Sequence, residues 1–197
     1  MKTLEIWYEF GSNYSYLSVQ RVGELARSRG VPLKWEPFLL GPIFKSFGWE
    51  TSPFVLQEQK GRYMWRDMER QCEKYGLPWK RPTNFPRRAL LPMRVAVLGK
   101  DAVWIEAFSR RMMALNFVED REIDSVEAVS RVLVELGLDA GAIIEQAQDA
   151  QNKERLKDQT LRAQALGVFG GPTFFVEGEM FWGNDRLDEA VEWAARA

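Results

Sequence analysis

The sequence predicts an α/β fold in which a βαβ unit and a later ββα unit are separated by a large all-helical insertion. Three observations carry this. Residues 4–10 and 31–38 alternate apolar and polar side chains around one helical stretch. Residues 39–166 show helical spacing punctuated by Gly and Pro, with no strand pattern. Residues 173–182 return to β-formers before a last amphipathic helix. The expected division is 1–38 and 167–197 for the α/β domain and 39–166 for the insertion.

In the first strand Leu4, Ile6, Tyr8 and Phe10 alternate with Glu5, Trp7 and Glu9, so the first set is expected to face the core. Gly11 breaks the strand, and Ser12, Asn13 and Ser15 are good helix caps. A helix follows to Gly30, with Tyr16, Leu17, Val19, Val22, Leu25 and Ala26 on its apolar face. Its N-terminus offers unpaired N–H groups and a partial positive charge, a natural place for an anion. The second strand, 31–38, carries Leu33, Trp35 and Phe38 with Lys34 and Glu36 between, and is expected parallel to the first.

Residues 39–53 read as a loop, with Gly41, Pro42, Gly48 and Pro53 among the aromatics Phe44, Phe47 and Trp49. These aromatics suit a ligand wall or a flap tucked onto the core. Residues 54–76 read as one helix closed by Gly76, with Cys72 a buried core thiol beside Trp65 and Met68. Prolines at 78, 82 and 86 give a rigid turn segment, in which Asn84 either turns the chain or meets a ligand. Helices are expected at 88–98, at 101–116 capped by Asp101, at 125–136 after Asp124, from Asp139, and from Asn152 to Leu166. Arg87, Arg88, Arg110 and Arg111 read as solvated helix faces. A bend at 168–172, a strand, a hairpin turn at Glu177–Gly178–Glu179 and a second arm at Met180–Trp182 follow. The final helix buries Leu187, Ala190, Val191 and Ala194, with Asn184 as its cap.

Composition narrows the chemistry. The net charge of −1 gives no reason to expect nucleic acid or an anionic membrane as partner. No apolar run approaches the roughly 18–20 residues of a membrane span. A single cysteine and no signal-peptide pattern lead to a cytoplasmic expectation. With His at 0, histidine triads and the usual zinc sites are excluded. Acid–base work falls to carboxylates, Lys, Tyr, a thiol or the ligand itself.

Without the helical block, the order β-α-β…β-β-α is the thioredoxin skeleton. A thioredoxin-like redox protein carries Cys-x-x-Cys at the start of its first helix, and this chain has Gly11-Ser12-Asn13-Tyr14 there. Serine forms no disulfide, so that site cannot run dithiol chemistry.

Phe10-Gly-Ser-Asn-Tyr-Ser-Tyr-Leu17, Phe38-Leu-Leu-Gly-Pro-Ile-Phe-Lys45, and Gly167-Val-Phe-Gly-Gly-Pro-Thr-Phe-Phe-Val176 followed by Phe181-Trp-Gly-Asn-Asp-Arg-Leu187 resemble the 2-hydroxychromene-2-carboxylate isomerases. That family stands with the kappa-class glutathione transferases inside the DsbA-like thioredoxin superfamily. Its first motif usually reads Ser-Pro-Tyr-Ser or Ser-Pro-Phe-Ser, and here Asn13 occupies the proline position. The resemblance implies a glutathione-dependent isomerase of aromatic-hydrocarbon breakdown, acting as a homodimer. The glutathione thiolate adds to the conjugated substrate, a double bond becomes single and rotates, and the thiolate leaves. Two rivals are a kappa-like glutathione transferase and a non-catalytic thiol- or peptide-binding protein.

By the same resemblance Ser12 faces the sulfur of glutathione, although the residue also reads as a plain cap. A hydroxyl donating to a thiolate contributes roughly 1.5–3 kcal/mol, and the helix dipole about 0.3–1 kcal/mol. Together they lower a thiol pKa near 8.5 by roughly 1.5 to 3 pH units. Gly171-Pro172 resembles a cis-proline loop, whose Gly171 backbone is expected to pair with the tripeptide; a simple turn proline is the alternative. Trp182, Gly183, Asn184 and Asp185 are expected to hold the γ-glutamyl end. Lys45 is expected at the glycine carboxylate or an acidic group of the aromatic substrate, and Asn84 on the substrate side. Phe44, Phe47, Trp49, Phe169 and Trp182 would supply apolar walls.

Overall fold

The computed structural model describes residues 1–196. Their order is β1 (Leu4–Tyr8), α1 (Asn13–Ser28), β2 (Leu33–Pro37), eight helices, β3 (Thr173–Val176), β4 (Glu179–Trp182), a 3-10 turn (Asn184–Arg186) and α10 (Leu187–Ala195). The eight helices are α2 (Leu40–Ser46), α3 (Pro53–Leu56), α4 (Glu58–Tyr75), α5 (Leu90–Leu98), α6 (Ile105–Phe117), α7 (Val126–Glu135), α8 (Ala140–Gln148) and α9 (Ala150–Ala165). The strands lie in the order β2-β1-β3-β4. β1 runs parallel to β2 with Leu4 opposite Leu33, and antiparallel to β3 with Leu4 opposite Val176. This is the expected thioredoxin sheet, with every strand drawn from the two ends of the chain.

Both faces of the sheet are covered. Leu4, Ile6 and Tyr8 enter one large core together with helices of the insertion, so the terminal segments and the insertion share a single apolar interior. Trp7 is also fully buried, in a second cluster with Phe38, Ile43, Ala163 and Phe175. The alternation placed Trp7 outside because a half-exposed strand was assumed; α2 and α9 cover that face. Glu36 on β2 departs in the same way. It is 2% exposed and is held by Lys100 at 3.1 Å, Gln159 at 2.5 Å and Arg162 at 3.4 Å. The helical block neutralises a charge that the alternation placed in water.

Several element boundaries differ from the sequence reading. The 39–53 loop contains α2, because Gly41 and Pro42 fall in its first turn, where proline is tolerated. The 54–76 helix is two helices that break at Gln57 (φ −117°, ψ 96°). Ser52 caps α3 by accepting from Phe54 N–H at 3.3 Å. α3 then folds against α4, where a Cβ at Gly61 would meet the Phe54 carbonyl at 2.2 Å. Asp101 does not cap α6, which begins only at Ile105. Ser125, not Asp124, caps α7 by accepting from Ala128 N–H at 3.1 Å. α9 begins at Ala150, and Asn152 within it donates to the carbonyls of Arg94 and Ala147. The β3–β4 hairpin has a two-residue turn, Glu177 and Gly178, at φ 51° and 85°; Glu179 is already paired with Val176. Cys72 is buried, as expected, and burial pushes its thiol up to about 12.

Candidate active site

β1 delivers the chain to the tip of α1. Ser12 N–H donates to Glu9 O at 3.1 Å, turning the backbone, and Ser12 then stands as the cap of α1. Its Oγ accepts from Ser15 N–H at 3.3 Å and donates to Gly171 O at 3.0 Å. The cap reading and the site reading therefore meet in one side chain. Gly11 is needed here, since a Cβ would lie 2.8 Å from the Arg87 carbonyl.

A buried network braces that turn. Asn116 on α6 donates from Nδ2 to Phe10 O at 2.9 Å. Arg87 donates to Asn116 Oδ1 at 2.9 Å and to Asp120 Oδ1 at 2.6 Å. Arg87 is 6% exposed, which corrects its reading as a solvated residue. Hydrogen bonds from Arg87 and from the Thr83 backbone hold the Asp120 carboxyl well below the usual carboxylate range.

The Gly171–Pro172 bond is cis, as is Phe85–Pro86, which carried no sequence signal. The Gly171 carbonyl expected to meet a ligand is engaged by Ser12. Next in line, Gly183 takes φ 107°, and a Cβ there would lie 2.5 Å from Asp185 Oδ1. Asn184 does not cap α10. Its Oδ1 instead accepts from Ser18 Oγ at 3.1 Å and Arg21 Nη1 at 3.3 Å, which fixes this corner against α1.

These elements border a cleft of about 770 Å³, within the ~300–1,000 Å³ typical of small-molecule sites. Ser12, Gly171, Pro172, Trp182, Gly183, Asn184 and Asp185 line one side, and Phe44 and Trp49 line the other. Phe169 and Trp182 pack together at the rim, 4.8 Å between ring centroids. Lys45 and Asn84 are exposed and stand outside the lining. Phe47 is likewise outside it, packed on Trp49 with centroids 5.7 Å apart.

Of the lining groups not singled out from sequence, four bear on the chemistry. Glu9 lines the cleft, and desolvation raises its carboxyl from 4.5 to about 7, opposed by the backbone N–H of Leu40. Tyr14 donates to Asp67 Oδ2 at 2.8 Å; burial, then Asp67, push its hydroxyl up. Lys60 on α4 is the fourth, a cation on the insertion side. Nothing local marked Glu9, which the strand alternation set opposite the core-facing residues. The others depend on how α4 folds back. Asn13, 2% exposed and also lining the cleft, has an Nδ2 without an acceptor among the described residues. No group of three or more His, Cys, Asp or Glu suited to a metal ion occurs among the described residues.

With that sheet order, and a serine where a redox cysteine pair would stand, the molecule is a thioredoxin-fold protein that does not work by dithiol exchange. The DSBA-like thioredoxin domain family matches residues 3–192, and the chain belongs to that family. Within it the chain is 27% identical to 2-hydroxychromene-2-carboxylate isomerase of Sphingobium xenophagum over 190 residues, covering 95% of each. It is 26% identical to glutathione S-transferase kappa 1 of Rattus norvegicus, covering 95% of this chain and 88% of that one. A solved structure of a 2-hydroxychromene-2-carboxylate isomerase superposes with a TM-score of 0.88 at 25% identity, over 97% of this chain and 93% of the other. The expected isomerase- and transferase-like branch of the family is thus borne out, and the chain is an enzyme of that branch. No helix of the described residues is long and apolar enough to cross a membrane.

Proposed function

We propose that the protein is a glutathione-dependent isomerase acting on 2-hydroxychromene-2-carboxylate or a similar intermediate of aromatic catabolism. The observation that carries this is Ser12: a hydroxyl at a helix tip, bordering a cleft that also holds the cis-Pro172 loop. The site suits a thiol tripeptide in two respects. The cleft is large enough, and the buried Asn13 Nδ2 beside Ser12 lacks an acceptor. Glutathione held there by Ser12, Asn184 and Asp185 would supply a sulfur nucleophile that is regenerated with each turnover.

The chain's own residues do the rest. The first turn of α1 favours negative charge at the sulfur position. Ser12 turns its proton from Gly171 O to the anion. Glu9, whose carboxyl burial raises to about 7, would take the thiol proton as glutathione ionises and return it to the sulfur on release. Gly183, Asn184 and Asp185 hold the γ-glutamyl end, with Asp185 accepting from its ammonium. Phe44, Trp49 and the Phe169–Trp182 pair enclose the aromatic substrate. Lys45 and Asn84 act at the outer edge, on the carboxylates of ligand and substrate. The working form is a cytoplasmic homodimer, a reading supported by the family resemblance.

Incubation with 2-hydroxychromene-2-carboxylate and glutathione tests this. Product should form only when glutathione is present, with total free glutathione unchanged. Similarity to a kappa-class transferase favours a second reading, transfer to electrophiles, in which glutathione is consumed as a conjugate. A melting temperature that millimolar glutathione does not raise would contradict both.

A further inference from the structure

The first turn of α1 carries two side chains without a partner among the described residues, Asn13 and Ser15, and of these only Asn13 lines the cleft. Asn13 is 2% exposed and lines the cleft, yet its Nδ2 meets no acceptor among the described residues. Buried side-chain donors are nearly always paired, so an unpaired one at the wall of a cleft points to a partner that arrives from outside. Its neighbour Ser12 is in the opposite condition. Ser12 has one hydroxyl proton, given to Gly171 O at 3.0 Å, while its oxygen accepts from Ser15 N–H at 3.3 Å. Donating to an anion costs Ser12 an existing bond; it costs Asn13 none.

Asn13 is also the first residue of α1, in the turn whose free N–H groups favour negative charge. The proline usual at this place in the resembling motif has neither a side-chain nor a backbone donor. We infer that Asn13 is a second anion donor of the cleft, its carboxamide binding the thiolate of glutathione beside Ser12. The inference rests on the glutathione reading above. It goes further in making the site a two-donor site, in which the helix tip holds the sulfur before Ser12 has released Gly171.

The test is the ionisation of bound glutathione, followed by the ultraviolet absorbance of the thiolate across pH. Glu9, Tyr14, Glu50, Asp67 and Asp185, with Lys60, Tyr63, Arg87 and Arg88, line the same cleft and act on the sulfur's ionisation. They are unchanged in the variants, so they cancel in the comparison. Asn13→Pro keeps a residue favoured at a first helical position, and Asn13→Ala removes only the carboxamide. In both, the midpoint should rise by about one pH unit, roughly tenfold less thiolate at a fixed pH below it. Affinity for S-methylglutathione, which has no thiolate, should be unchanged. Equal midpoints in wild type and both variants would overturn the inference. So would a parallel loss of S-methylglutathione affinity, which marks a merely structural role. Wild-type protein that fails to bind glutathione in calorimetry would overturn the functional reading, and this inference with it. Binding by wild type with no dependence on Asn13 would overturn this inference alone.

Discussion

On one wall of the cleft, Ser12 and Asn184 are almost fully buried and every turn is pinned by a hydrogen bond: Ser12 to Gly171, Asn184 to Ser18, Gly183 to Pro172. On the other, Trp49 is 37% exposed and Tyr63 63%, and Phe44 packs ring against ring on Trp49. The first wall comes from the α/β ends of the chain and the second from the insertion. Fixed polar groups recognise a ligand of constant shape, whereas exposed rings such as Trp49, in the loop after α2, and Tyr63, on α4, present apolar surface without fixed hydrogen-bonding geometry. Under the proposed function the tripeptide belongs to the first wall and the aromatic substrate to the second.

The largest expected effect lies on the polar wall. Ser12→Ala should lower kcat by roughly 10²-fold, the usual cost of one donor to a developing anion. Loss of the α1 cap should cost about 1 kcal/mol of stability as well, visible as a small fall in Tm. Full turnover in this variant would move the chemistry away from the polar wall. On the apolar wall, Trp49→Ala should raise KM for the aromatic substrate by about tenfold, from lost ring burial, while glutathione affinity stays at the wild-type value. A variant that weakens both equally would erase the distinction between the walls.

Glu9 follows β1 directly and lines the cleft, with Leu40 of α2 against it, and it gives a pH signature. Its folded-state carboxyl binds a proton up to about pH 7, against 4.5 for an ordinary one. Its contribution to stability is therefore complete below pH 4.5 and lost as pH rises through about 7. Wild-type Tm should fall across that window, by roughly 2–4 °C for each kcal/mol lost. Glu9→Gln should flatten the fall; parallel curves would place the carboxyl in water. The smallest effects belong to Lys45→Ala and Asn84→Ala. Both residues stand outside the lining, and their kcat/KM should change by less than about threefold, the scale of an exposed charge contact.

The polar wall was largely legible in the sequence and the rest of the site was not, for physical reasons. Strand alternation, Gly11 and the Ser12 cap are local signals, and the 167–187 segment carries its turns in its own glycines and proline. Arg87 misled because its partner Asp120 lies 33 residues away, and only the folded insertion brings them to 2.6 Å. Trp7 and Glu36 misled because alternation cannot tell a sheet covered on one face from one covered on both. α2 was hidden by a Gly-Pro pair that reads as a loop unless it falls in a first turn. Glu9 has an ordinary local sequence, and its acidity is set by burial against a helix that the local pattern did not reveal.

The most direct measurement is a crystal structure of the protein soaked with glutathione. The account predicts the sulfur within hydrogen-bonding reach of Ser12 Oγ and Asn13 Nδ2, with the γ-glutamyl end against Asn184 and Asp185. A cleft that stays empty, or a tripeptide lying along Trp49 with its sulfur turned from α1, would contradict it.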